Sequence, residues 1–368
     1  MHPAVSHDHF NSRWIWPTLI GAAALFALGS VTHAAATGNS PKLFGEGVIS
    51  GPADDRAPTF SPDGNTVFFG RGNPSQFTVL VSHRIDGSWS EPEIAPFSGC
   101  WRDLEPSMAP DGSYLIFASN RPASKGGKPL DGHYGGKVAL GKGGNLWRVD
   151  RVGSGWSDAH RLPDSVNVSD SVFAPTISSD GTLYFMHPDA QGNHFHLFRS
   201  AYSRGSYQPA TPAGLDAGGT AEVDPAVAPD ESFIIFSSRS PEHPQQSRLF
   251  IAFRDNQNWN TPIDLGDEVN EEGDNNEARL GADHRSLYFS TNTVEPVTYP
   301  STRELTASAL ARMLVRDNGN DNIWTVSLAP WLDRRAGNAA ARTSRSDGRL
   351  HSQPMASSAF RALNFVTE

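Results

Sequence analysis

Six carboxylates recur at one kind of place. Asp55, Asp103, Glu105, Glu222, Asp224 and Glu277 each stand at, or just before, a short run that leads into a turn. Side-chain oxygens gathered from separate segments can ligate a divalent cation or hold a cationic group. A pair of carboxylates can also divide acid and base roles at a glycosidic bond, and Glu105, Asp224 and Glu277 are the candidates for that chemistry. Arg56, Arg102 and Arg279 lie beside them in the chain, so a rim of paired or solvated charges is the plainer outcome. Which chemistry is open depends on whether the fold brings these segments to one point.

The segments belong to a repeat. Residues 105–121 read as a short run (Ser107, Met108, Ala109), a Pro-Asp-Gly turn, and a more apolar run from Tyr114 to Ala118. Two strand-like runs around an Asp-Gly turn are a hairpin signal. Four relatives share it, with turn aspartates Asp63, Asp180, Asp230 and Asp283 beside Asp111. Those aspartates are structural, because Asp tolerates the turn and bonds its own backbone. A spacing of roughly 50 residues points to a propeller or solenoid. Each hairpin is followed by a third strand, at 78–83, 145–149, 196–200, 249–253 and 323–328. Four of these continue through a turn and an aromatic residue to a fourth strand, which completes a propeller blade.

The fifth unit lacks its fourth strand, whereas residues 42–50 have the connector of a fourth strand with no blade before them. The expectation is an all-β, five-bladed propeller whose ring closes by pairing 42–50 with 323–328; six blades are the alternative. Closure matters because an open ring leaves unpaired strand edges.

Composition agrees. The 34 Gly and 27 Pro among 368 residues suit a turn-rich β protein. A net charge of −10 argues against nucleic acid as a partner. Residues 1–36 have a charged start at Arg13, an apolar run from Trp14 to Leu28 and a small-residue exit, the pattern of a signal peptide. The expected location is therefore periplasmic or secreted, with no stable membrane insertion after cleavage. Cys100 is the only cysteine, which excludes an intrachain disulfide. The propeller domain is expected over 37–328, with a disordered tail at 329–368.

The pattern Pro-x-x-Ser-Pro-Asp-Gly-x-x-x-x-Phe-x-Ser-x-Arg, seen best at 106–121 with Ala109 in place of Ser, resembles the TolB-type, WD40-like propeller repeat of exported bacterial proteins. The resemblance covers roughly residues 42–328 and implies the fold. No further N-terminal domain fits between the signal and Lys42, so the partnership of TolB itself is not implied.

Two long insertions, 122–144 and 293–321, fall between strands two and three of blades two and five. That places them on the face of the connectors, opposite the Asp-Gly turns. Blades two and five both flank blade one, so the insertions are expected to wall one sector. The second carries a capping-box pattern at Ser301-Thr302-Arg303-Glu304 and helical spacing of Leu305, Ala309, Leu310, Met313 and Leu314. A helix over 302–316 is expected, its apolar stripe packed on the ring. Gly136-x-x-x-x-Gly141-Lys142 lacks the Ser/Thr and the following helix of a phosphate loop. His194 and His196 share a face but lack a third zinc ligand, and no Gly-x-Ser-x-Gly elbow is present.

These observations favour an exported binding or scaffold propeller over an enzyme. Its partner would be a protein or a cell-envelope polymer, engaged on the insertion face. Asp55, Asp103, Glu105, Glu222, Asp224 and Glu277 are the expected ligand-binding residues. No cofactor is required, although a divalent cation fits the channel mouth. A carbohydrate-active hydrolase using the channel carboxylates is the alternative.

Overall fold

The computed structural model describes residues 39–337, apart from 74, 219–220, 272 and 295–296. The signal-peptide reading of 1–36 lies outside them. Five antiparallel sheets follow one another in the chain, each built outward from an inner strand. The inner strands are Asp54–Phe60, Asp103–Met108, Phe173–Ile177, Glu222–Val227 and Asn275–Leu280. In each blade the second and third strands are long, and the fourth is reduced to two residues, as at Glu93–Ile94 and Ile263–Asp264. The fold is the five-bladed β-propeller that the repeat implied.

The packing follows from the two-residue period of a strand. A blade is covered on both faces, so the second strand carries a continuous apolar stretch. In Tyr114–Ser119, Leu115 and Phe117 join a cluster with blade one, whereas Ile116 and Ala118 join one with blade three. Five such clusters form, one at each junction between blades. The core is thus divided into sectors, and each blade is stabilised only by its two neighbours.

The ring closes as expected, by a shorter strand. Lys42 and Leu43 pair with Thr325 and Trp324 of the last strand, Asn318–Ser327. Residues 44–50 are not strand, which corrects the expected extent. The carbonyl of Gly45 accepts the N–H groups of Val48, Ile49 and Ser50, folding the segment into a turn. Ser50 then clips onto the same edge, its hydroxyl donating to Ile323 O at 3.2 Å and accepting from Ile323 N at 3.1 Å. Phe44 wedges among Phe60, Trp89 and Tyr288, with ring centroids 4.9–5.8 Å apart.

Three further expectations are corrected. The tail does not begin at 329: residues 329–337 are helical, and Trp331 and Leu332 pack on the junction of blades four and five. Asp333 pairs with Arg285 at 2.5 Å, and Arg335 pairs with Asp255. Residues 338–368 lie outside the described residues. The helix of the second insertion spans Arg303–Arg312 and buries none of its residues, so no stripe packs on the ring. Its cap is Thr302, whose hydroxyl accepts from Leu305 N, one residue later than the capping-box pattern placed it. The first insertion contains a hairpin, Gly132–Tyr134 with Lys137–Ala139, and leans on blade three. Tyr134 meets Phe195 and Phe173 there, and His133 N donates to Ser171 Oγ at 2.8 Å. It therefore does not wall the sector of blade one.

Phe44→Ala removes the aromatic contact that seats the closing segment. A cost of about 2–4 kcal/mol is expected, read from the midpoint of urea unfolding; an unchanged midpoint would show that closure does not depend on this wedge.

Candidate functional site

Each inner strand carries the same irregularity. Ala57, Glu105, Ala174, Asp224 and Glu277 adopt positive φ of 48–55° and are followed by Pro58, Pro106, Pro175, Pro225 and Ala278. The pairing register slips at this point in every blade. Two residues then oppose one, as in a β-bulge. The single opposed residue is Phe69, Phe117, Phe185, Phe236 and Phe289 in turn, each fully buried.

A bulge releases its N–H from the ladder, and a buried N–H needs an acceptor. The preceding blade supplies it. Ala174 N donates to Glu105 Oε2 at 2.6 Å, Glu277 N to Asp224 Oδ2 at 3.2 Å, and Ala57 N to Ser290 Oγ at 3.3 Å. Glu105 and Asp224 are thus bridges between blades as well as channel-lining groups, whereas the bulge after Glu277 is met by Ser290.

Three of the six expected residues meet. One oxygen each of Glu105, Asp224 and Glu277 lies within 4.8 Å of the others, and these residues are 5–7 % exposed. The other three are diverted. Asp55 binds Arg71 Nε at 2.6 Å and Gly51 N at 2.8 Å. Asp103 accepts from Ser98, Ser119 and Arg121 at 2.6–2.8 Å. Arg71 and Arg121 also donate to connector carbonyls of Val48, Ile49 and Phe97, so these pairs anchor the connectors. Glu222 lies 3.2 Å from His196 Nδ1. The turn aspartates are structural, as expected: Asp111 Oδ1, for example, accepts from Ser113 N at 2.9 Å and from its hydroxyl at 2.6 Å.

Arginines surround the triad. Arg279, two residues beyond Glu277 on the same strand, places Nη2 3.8 Å from Glu277 Oε2. Arg56 is held by Asp321 at 2.5 Å and Asp54 at 3.6 Å. Arg56 and Arg102 both stack on Phe77, 5.4 and 5.6 Å from its centroid. Phe77, Asp54 and Asp321 were not legible as channel residues, because none sits at a repeated position. On the other side of Arg279 the channel is lined by Thr59, Ser107 and Thr176 toward the turn face.

Burial raises all three carboxyl pKa values. Glu105 is pushed up to about 7, by burial first and by the Asp224 carboxylate second. Glu277 rises well above its ordinary value through burial and both neighbouring acids, and Asp224 rises through burial.

No family model and no curated protein sequence matches the chain. Solved structures similar to it include TolB from Acinetobacter baumannii, 13% identical with TM-score 0.43, covering 65% of this chain and 49% of that one. Putative TolB from Agrobacterium tumefaciens is also 13% identical with TM-score 0.43, covering 75% of this chain and 91% of that one. The catalytic domain of the Coprinopsis cinerea GH62 α-L-arabinofuranosidase is 11% identical with TM-score 0.45, covering 78% and 96%. The chain spans about half the length of the Acinetobacter TolB. The ring itself rests on the strand pairing above: this is a five-bladed β-propeller whose repeats resemble those of TolB.

The folded chain holds triad protons that the unfolded chain releases above about pH 4.5. Stability should therefore fall as pH rises from about 4.5 through 7. Glu105→Gln keeps an oxygen for Ala174 N and removes the charge. Its unfolding midpoint should exceed the parent's at pH 8 and match it near pH 5; a parent-like pH profile in the variant would contradict this account.

Proposed function

We propose that the chain is an exported binding propeller that docks a protein partner on its insertion-bearing face. The observation that carries this reading is the helix Arg303–Arg312. It is capped and formed, yet Leu305, Leu310 and Leu314 at or just beyond it are 64, 60 and 71 % exposed. Tyr299 and Val297 of the same insertion, and Val138 and Leu140 of the first, are exposed as well. Three large apolar side chains exposed on or beside one short helix are the feature from which the interaction surface is read. Apolar aliphatic side chains favour a protein surface over a glycan, which needs polar groups and aromatic faces. No helix among the described residues is long and apolar enough to cross a membrane. Export is supported by the signal pattern at residues 1–36.

The hydrolase alternative finds no comparable support. The channel carboxylates are buried, and two of them are committed to backbone amides of the next blade.

A photo-crosslinking residue at Leu310, used in cells that produce the chain, should yield one discrete protein adduct that is lost in Leu305→Asp/Leu314→Asp. Exposed positions change stability by roughly 0.5 kcal/mol or less, so the variant should fold normally. An adduct pattern unchanged by the two substitutions, or none above background, would overturn the reading. Recovery of the chain from the cytoplasmic fraction alone would remove the export claim.

A further inference from the structure

The charges of the channel do not cancel among themselves. Three carboxylates from three blades meet, and Arg279 is the one guanidinium within 4 Å of any of them in the described ion pairs. Arg56 is already held by Asp321 and Asp54. With all three acids ionised, the cluster carries two net negative charges, the complement of one divalent cation.

The polar atoms are also incompletely used. Glu105 and Asp224 each spend one oxygen on a neighbouring amide, leaving the second for a ligand. Glu277 Oε2 is buried and has no hydrogen-bond partner. Arg279 is 3 % exposed, and its Nε and Nη2 are likewise buried without a partner. The 3.8 Å between Arg279 Nη2 and Glu277 Oε2 is too long for a hydrogen bond. The unpartnered Glu277 oxygen costs about 1–3 kcal/mol, which a bound cation would offset; the Arg279 donors need an acceptor and are not satisfied by it.

We propose that the channel binds one divalent cation, of calcium size, through Glu105, Asp224 and Glu277. Calcium takes carboxylate oxygens at about 2.3–2.6 Å in flexible geometry. Three oxygens within 4.8 Å of one another leave their common centre at most about 2.8 Å from each, so a shift of a few tenths of an ångström brings all three onto one calcium ion. Magnesium, at about 2.0–2.1 Å with a strict octahedron, would require the blades to close further. Arg279 stands beside the ion rather than among its ligands. The bound cation ties blades two, four and five across the channel, where the ring has no other shared core. The site is independent of the insertion face and of whatever docks there.

The full chain, purified in chelator and exchanged into metal-free buffer, should take up one calcium per molecule by isothermal titration and melt several degrees higher in millimolar calcium than without it. Magnesium should give a smaller shift. Glu277→Gln, which keeps the side-chain shape, should melt no lower than the parent without metal, yet lose both the heat and the shift. Arg279→Met removes the competing positive charge and should bind calcium severalfold more tightly. Glu222→Gln, at a carboxylate that faces His196 and is not one of the three that meet, should titrate as the parent. Absence of heat and shift with both metals would overturn the proposal. So would calcium binding that survives Glu277→Gln, or binding weakened in Arg279→Met.

Discussion

A left-handed residue at the head of every inner strand sets the geometry of the rest. An L-residue there costs about 1–2 kcal/mol, and the chain accepts that cost in all five blades, at Ala57, Glu105, Ala174, Asp224 and Glu277. The bulge turns the strand so that one side chain per blade can reach the channel. It also frees one N–H per blade. At Ala174 and Glu277 that N–H gains a bond to a carboxylate of the preceding blade, worth about 1.5–3 kcal/mol when charged. Ala57 and Ala174 can offer none, so the blades that follow them lack this bridge. The blade that follows Glu277 lacks it too, because Ala57 N bonds Ser290 Oγ instead.

The same device explains how a ring without a central core holds together. Apolar burial is confined to the five junctions, one of them where the chain ends meet. There the two-residue strand at Lys42–Leu43 is reinforced by the Ser50 clip and the Phe44 wedge. Polar bridges at the bulges add a second, inner ring of contacts where the blades converge.

Much of this was legible in the sequence. The Pro-Asp-Gly hairpin recurs, its turn aspartates bond their own backbone, and the surplus segment at the N-terminus announces closure. The repeated phenylalanine was visible as a repeat, but its place opposite the bulge was not. That is why the acids were over-counted. In a regular strand Asp103 and Glu105 share a face, whereas here Asp103 bonds Ser119 and Arg121 and only Glu105 joins the triad. Positive φ at a non-glycine residue leaves no compositional mark, so a period-two reading cannot detect it. The insertion helix was misjudged for a different reason. Its apolar residues recur at helical spacing, but the helix as a whole is only weakly amphipathic, and spacing does not say whether a surface lies beneath it.

Residue-resolved amide exchange tests the bulge bridge most directly. In the native chain, Ala174 and Glu277 amides should exchange as slowly as the ladder amides beside them, and Glu105→Ala should accelerate Ala174 while leaving Glu277 slow. Rapid exchange of Ala174 in the native chain, or a Glu105→Ala effect spread evenly over all blades, would contradict the claim that the bulges at Ala174 and Glu277 are each completed by a carboxylate of the preceding blade.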